Sequence, residues 1–507
     1  MQIDVTDDRQ APTGDVDWQD EGHSTCCHSC SIVRGHVEQV RQCPTAIIHE
    51  GTKKMVHDQG DHTKKSSETA GEAGWHVSRY LIWATVPGVQ GIAVANLFNG
   101  TFGICSPLEW ALLAEADNLP RDHPFVTRFV QRGLMVNYDE RAALQTLGRA
   151  ACAIPRGVSL TICPTMGCNF DCPYCFSTHH GKKMSSKVQD DVVSLAQRML
   201  DASGAQRLSV TWFGGEPLLA PGVIESLSSR LISLVEQRGG TYGASIITNG
   251  YLLTQEVADM LTAAKVQHAQ VTVDGIGAAH DATRHLADGA PTFDRVVANL
   301  RNNKLKFRVH VRCNVHDNNR GEFDALGAYM ERVARASGND IACFPALVRN
   351  NATADMRGQQ MGLARVADMG DLSVFQQIRH FGPASGSFCG AHSLWDVGID
   401  EQGRLHKCWE AVDKPALSFG NAYDWNPTDP IATAARPNNL TKFLNTALPM
   451  SDAECLDCIW LPLCVGGCPY RRLFESKACV AYKNDSQTFV RALYAHMRAQ
   501  ESARRNR

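Results

Sequence analysis

Six short runs rich in β-branched and apolar residues, at 158–162, 208–213, 244–247, 269–273, 307–315 and 341–348, alternate with amphipathic segments of helical period. No other feature constrains the fold as tightly. Antiparallel neighbours can be closed by a tight turn, whereas strands separated by helical stretches of about 10 to 15 residues call for the long crossovers of a parallel sheet. The expected architecture is α/β, a partial (β/α)6 TIM-like barrel over residues 155–350, with functional side chains at the carboxyl ends of its strands.

At 507 residues, 44% of them hydrophobic, the chain can build more than one core. Residues 1–74 are rich in Asp, Gln, His, Ser, Thr and Lys and read as a disordered tail. The tail groups His23, Cys26, Cys27, His28, Cys30, His36 and Cys43, which suit either a soft-metal site or a flexible reduced segment. Over 75–150 a small N-terminal α+β module is expected. Tyr80-Leu81-Ile82-Trp83 and Ile92-Ala93-Val94-Ala95-Asn96-Leu97-Phe98 read as strands, Asn99-Gly100 as a hairpin turn, and 107–116 and 124–132 as helices opening on proline. Residues 483–507 read as a C-terminal helix.

Fifty Lys and Arg stand against 53 Asp and Glu, a net charge of −3, so nothing favours nucleic acid or an anionic membrane as partner. There is no apolar stretch of about 18 residues, and residues 1–20 lack the order of a signal peptide, so a cytoplasmic location is expected. In that reducing compartment 19 cysteines point to metal or redox duties rather than disulfides. None lies between Cys175 and Cys313, while seven fall from Cys389 to Cys479. Cys105, Cys152 and Cys163 lie in apolar contexts and read as core.

Cys168, Cys172 and Cys175 follow the first barrel strand on a loop, spaced C-x3-C-x2-C. Three thiolates hold three irons of a [4Fe-4S] cluster and leave the fourth open to a small molecule. The same loop would serve zinc if Cys163 or His179 joined it. With Tyr174 before its last cysteine, the loop resembles the signature of radical S-adenosylmethionine (SAM) enzymes. Gly214-Gly215-Glu216-Pro217, after the second strand, is similar to the family's segment that contacts the methionyl amino group; glycines admit close backbone approach and a carboxylate pairs with an ammonium. The resemblance also places Thr248, Asn249, Asp274 and Arg312 around the cofactor, Arg312 as a partner of its carboxylate. Each has an ordinary reading as well: Asn249-Gly250 and Asp274-Gly275 are turn dipeptides, and Arg312 suits a barrel-edge ion pair. The family's chemistry is reductive cleavage of SAM to a 5′-deoxyadenosyl radical that abstracts a substrate hydrogen. Beyond the cluster, no catalytic side chain is assigned.

The second constellation reads Cys389, Gly403-x4-Cys408, Cys455-x2-Cys458-x5-Cys464-x3-Cys468, then Cys479. Paired zinc sites are one reading, since Cys455 and Cys458 form a zinc-ribbon knuckle. The whole series resembles a SPASM domain, over 385–482, whose cysteines hold two auxiliary [4Fe-4S] clusters, which makes three clusters in all. By that resemblance Cys389, Cys408 and Cys468 serve the nearer auxiliary cluster and Cys455, Cys458, Cys464 and Cys479 the farther one. The nearer set lacks a fourth thiolate: Cys343 or Cys313 supplies it, or one iron is open to a substrate sulfur or water.

Proteins resembling both halves mostly act on ribosomally made peptides or proteins, which implies a peptide maturase forming thioether or carbon-carbon crosslinks on a precursor peptide. The implied electron donor is a flavodoxin or ferredoxin. The 75–150 module resembles leader-peptide recognition modules, which dock an extended leader on a sheet edge, and could equally be a structural cap. An anaerobic sulfatase-maturing (formylglycine-forming) enzyme is the enzymatic rival, but those enzymes carry a catalytic aspartate after the Gly-x4-Cys cysteine, where this chain has Trp409-Glu410. A non-catalytic electron carrier or zinc scaffold would have no use for the Gly-Gly-Glu segment or the barrel.

Overall fold

The computed structural model describes residues 74–315, 319, 321–347, 381–382, 389–475, 477, 479–480 and 483–505. The expectations for 1–73, with the His23 to Cys43 grouping, lie outside the described residues.

After the short β1 (His76–Val77) come β2 (Leu81–Thr85), β3 (Ile92–Asn96) and β4 (Phe102–Cys105), an antiparallel sheet in that order. The β3–β4 connection turns at Asn99-Gly100, where Gly100 takes the left-handed φ of +75° that such a turn requires. α1 (Pro107–Ala114) starts on Pro107 behind a capping box of Ser106 and Glu109, and α2 (Pro124–Gln131) also opens on proline. β5 (Met135–Val136) pairs with β1, and α3 (Glu140–Ala153) leads into the barrel.

Side chains alternate across the three-stranded sheet, and both faces are covered. Leu81, Trp83, Ile92 and Val94 pack on Trp110, Leu113, Val126 and Phe129 of α1 and α2. Tyr80, Ile82, Ala84, Ala93 and Ala95 pack on residues from the far end of the chain, Trp460, Leu461, Phe489, Val490 and Leu493.

All six expected barrel strands form: β6 (Val158–Ile162), β7 (Arg207–Trp212), β8 (Thr241–Thr248), β9 (Val266–Thr272), β10 (Arg308–Val315) and β11 (Ile341–Leu347). They are parallel, in sequential order, joined by α4 (Ser186–Ser203), α5 (Pro221–Glu236), α6 (Gln255–Ala263), α7 (Phe293–Asn302) and α8 (Glu322–Ser337). One face of the sheet, with Leu208, Val210, Trp212, Ala244 and Ile246, is buried beneath these helices. The alternate positions carry Ser209, Thr211, Ser245, Gln270, His310 and Arg312, all only half-buried. A polar inner face of this kind leaves a lumen for a ligand, unlike a closed barrel packed with branched apolar side chains.

The sheet does not stop at six strands. β12 (Asp396–Ile399) joins β6 in parallel, and β13 (Arg404–His406) and β14 (Gly420–Asn421) continue antiparallel beyond it, making nine. The four residues Asp-Val-Gly-Ile are too short and too poor in strand formers to announce β12 by pattern. α9 (Ser486–Arg505) then returns to cover β2 and β3. No helix among the described residues is long and apolar enough to cross a membrane.

Candidate active site

The loop after β6 carries Cys168, Cys172 and Cys175 and is pinned from two sides. Phe170 bridges to Leu286, the Asp171 N–H donates to the His285 carbonyl at 3.1 Å, and the Ala287 N–H donates to the Asn169 carbonyl at 3.1 Å. From β8, Asn249 Nδ2 donates to Asn169 Oδ1 at 2.8 Å. Burial pushes the Cys168 thiol up to about 12 and the Cys172 thiol up to about 11, and in both the neighbouring Cys175 adds to the rise. Two thiols held protonated beside a third suit a group that displaces their protons. The Phe170 N–H reaches Cys168 Sγ at 3.4 Å, a backbone donor for a thiolate sulfur. His179, the alternative zinc ligand, has Nε2 at 3.4 Å from Cys175 Sγ. No group of three or more His, Cys, Asp or Glu converges at single-ion distance among the described residues. A four-iron cluster spreads its thiolates over separate metals and needs no such convergence.

Gly214, Gly215 and Glu216 lie against this loop. A Cβ on Gly214 would meet the Thr165 carbonyl at 2.3 Å, and one on Gly215 the Gly167 carbonyl at 2.3 Å. The Gly215 N–H donates to Thr165 O at 3.2 Å and the Glu216 N–H to Gly167 O at 2.8 Å. These glycines therefore admit the protein's own backbone, the approach to the cysteine loop itself. The Glu216 carboxylate is fully buried (0% exposed). Its Oε1 accepts from Leu218 N–H at 2.9 Å and Thr248 Oγ1 at 2.7 Å, and its Oε2 from Asn249 N–H at 2.7 Å. Burial raises its pKa and these three donors oppose the rise. Glu216 thus clasps the carboxyl end of β8 to that of β7.

Tyr174 and Asp274 meet each other. The Tyr174 hydroxyl donates to Asp274 Oδ2 and accepts from Arg284 Nη1 at 2.7 Å and Asn314 Nδ2 at 3.1 Å. Asp274 also accepts from the Asn314 N–H at 3.0 Å and Thr283 Oγ1 at 3.2 Å. Arg312, on the inner face of β10, donates from Nε to Asn314 Oδ1 at 2.8 Å. The sequence reading missed Arg284 and Asn314; their only signal is position, both lying at the carboxyl side of barrel strands.

In the C-terminal segment Cys389 precedes β12 and Cys408 follows β13, so the hairpin that extends the barrel sheet carries both. Burial pushes the Cys408 thiol up to about 12, and Cys389 and Cys468 add to it, which puts the three within electrostatic reach. Lys407 is buried beside them, its Nζ donating to the Ser393 and Asp396 carbonyls, and burial draws its pKa down to about 8. Cys313 and Cys343 sit on β10 and β11, at the opposite edge of the sheet from β12 and β13. Cys455, Cys458, Cys464 and Cys479 line one hollow together with Arg472 and Lys483, and Arg472 Nη2 donates to Cys455 Sγ at 3.1 Å. Four thiols with adjacent cations fit an anionic cluster.

Residues 408–414 cross from this hairpin to the cysteine loop. Trp409, 42% exposed, donates from its indole to Thr161 Oγ1 at 2.8 Å and packs on Phe213 at 5.3 Å between ring centres. Val412 packs with Cys163 and Met166. Asp413 Oδ2 accepts from the Thr178 N–H at 3.0 Å, and Lys414 Nζ lies over the rings of Phe176 and Tyr470.

Comparison with known proteins agrees with this geometry. The AdoMet-dependent heme synthase of Methanosarcina barkeri is 32% identical over 148 residues, 27% of this chain and 36% of the relative. The mycofactocin maturase MftC of Mycobacterium tuberculosis is 31% identical over 156 residues, 29% of this chain and 35% of the relative. The chain thus spans about a third of the length of these curated relatives. A solved structure of native anSMEcpe with bound AdoMet and Cp18Cys peptide shares the fold, at 21% identity and a TM-score of 0.52, over 69% of this chain and 99% of that one. The radical SAM superfamily matches residues 162–327, and this stretch, from the end of β6 into α8, is a radical SAM domain.

Proposed function

We propose that the protein is a radical SAM/SPASM peptide maturase of the cytoplasm that holds three [4Fe-4S] clusters and crosslinks a ribosomally made precursor peptide, with a flavodoxin or ferredoxin as electron donor. The observation that carries this reading is the path of residues 408–414 from Cys408 past Thr161 and Phe213, at the carboxyl ends of β6 and β7, to Thr178 just beyond the cysteine loop. This path joins two sets of candidate cluster ligands. Bound to the cluster on the 168–175 loop, SAM would supply the hydrogen-abstracting radical. The chain's own residues fix the loop through Asn249, Leu286 and the Gly214-Gly215 backbone, and wall the lumen with Phe213 and Trp409. The similarity to a mycofactocin maturase supports a peptide substrate, as does the fold shared with a protein that binds a peptide beside AdoMet.

The residue after Cys408 speaks against formylglycine chemistry. Trp409 offers only an N–H donor, already committed to Thr161, and cannot accept a substrate proton. The nearest aspartate in sequence, Asp413, has its oxygens engaged by Thr178 and Lys414.

Anaerobic reconstitution is expected to load about twelve irons per chain, four for each cluster. Replacing Cys168, Cys172 and Cys175 with Ala should remove about four of them and abolish 5′-deoxyadenosine formation. With a short peptide encoded beside the gene as substrate, mass spectrometry should register loss of two hydrogens. Stoichiometric zinc in place of iron would refute the reading.

A further inference from the structure

We infer that Arg284 is the fixed counter-charge of the radical SAM cluster, a buried cation that sets how readily the cluster takes its electron. The inference rests on the cluster reading above. Arg284 is 7% exposed, and its Nε is buried with no hydrogen-bond partner. Its side-chain partners are the Tyr174 hydroxyl, 2.7 Å from Nη1, and the face of Phe170, 5.5 Å from Cζ. Among the described residues no carboxylate forms an ion pair with it. Asp274 acts on it only through the shared Tyr174 hydroxyl, its oxygens being taken by Tyr174, Thr283 and the Asn314 N–H.

A guanidinium sealed from water that reaches a carboxylate only through the Tyr174 hydroxyl is costly, and proteins pair or neutralise such groups. Arginine cannot escape by losing its proton. The neighbours that could become anionic are the cysteines. Both side-chain partners, Phe170 and Tyr174, belong to the 168–175 loop and lie two residues either side of Cys172. A four-iron core held by three thiolates carries net negative charge and gains one further unit on reduction. Net charge and hydrogen bonds to sulfur are among the protein's levers on a cluster's potential. A fixed cation beside Cys172 stabilises the reduced state over the oxidised one, so removing it makes the one-electron reduction harder. The unpartnered Nε–H is a donor for a sulfur of the loaded site.

The test is a redox titration of the full chain, anaerobically loaded with iron and sulfide, with dithionite as the one-electron donor. Electron paramagnetic resonance follows the reduced signal that changes when SAM is added, which separates this cluster from the others. Arg284→Lys is expected to keep wild-type iron content and midpoint. Arg284→Met and Arg284→Gln are expected to titrate at more negative potential, so that less than half of this cluster is reduced at the wild-type midpoint. Loss of this cluster from the Met variant but not from the Lys variant would also uphold the inference, since charge would then be needed for loading. A Met or Gln variant with full iron and the wild-type midpoint would overturn it. So would a Lys variant that loses the cluster as the Met variant does, because Arg284 would then act by packing. Wild-type protein that binds no iron would overturn the cluster reading itself.

Discussion

Gly215→Ala isolates what the Gly-Gly-Glu segment does for the site. The added Cβ would lie 2.3 Å from the Gly167 carbonyl oxygen, 2.5 Å from that of Met166 and 2.7 Å from the Gly167 carbonyl carbon. All three are backbone atoms, so no side chain can swing aside. Ordinary contact between such atoms needs about 3.5 Å, so the segment and the loop must separate by about 1 Å. The loop in question leads directly into Cys168, and the hydrogen bonds from the Gly215 and Glu216 N–H groups to Thr165 O and Gly167 O resist the separation. Overpacking of this kind costs about 1 to 3 kcal/mol, with about 1 kcal/mol more for each hydrogen bond lost. A misplacement of about 1 Å at a reaction centre costs on the order of 100-fold in rate. The assay is 5′-deoxyadenosine formation on iron-loaded protein alongside a thermal unfolding curve. Gly222→Ala is the control: Gly222 lies in α5 with nothing within 4 Å of its added Cβ, so it should gain about 0.5 to 1 kcal/mol and leave the rate unchanged. If Gly215→Ala cleaves SAM at the wild-type rate and unfolds at the wild-type temperature, the reasoning fails.

Phe489→Ala should cost about 3 to 5 kcal/mol, because it empties a fully buried ring that packs edge-on against Trp460 at 5.3 Å. The expected readout is a lower unfolding temperature with new protease cleavage inside 75–150; cleavage confined to α9 would mean that the two regions do not share a core. Cys313→Ala and Cys343→Ala should each leave the iron content unchanged, since Cys313 is fully buried in the barrel core and Cys343 packs against it. Loss of iron from either would make it the missing ligand of the Cys389, Cys408 and Cys468 site.

The barrel is legible in the sequence because its strands carry a local signal. β8 alternates buried and half-buried positions along its whole length, and the helices between strands have room to show their period. The cysteine spacings are legible for the same reason, as each set sits on one short segment. The hairpin of β12 and β13 is not, because its evidence is pairing with β6, a contact between distant parts of the chain that no window detects. Glu216 marks a middle case: the residue stands out, but whether its carboxylate faces a ligand or the β8 backbone depends on the approach of two strand ends. Arg284's only sequence signal is its place after a strand. A lone arginine after a strand reads as a surface charge, and only its burial and the absence of a carboxylate partner make it informative.

The same distant pairing decides how the proposed leader module can be tested. The sheet of β2, β3 and β4 is closed on one face by α1 and α2 and on the other by α9 and the Trp460 region. Removing 75–150 would therefore strip the cover from the segment that carries Cys455, Cys458 and Cys464, and loss of iron from such a deletion would say nothing about leader binding. With both faces filled, an extended peptide can join this sheet only by strand addition at an outer strand, β2 or β4. Substitution of Thr85, the exposed residue of β2, leaves the shared core intact, so a loss of peptide affinity with unchanged iron and unchanged uncoupled SAM cleavage would speak for leader docking rather than for a structural cap.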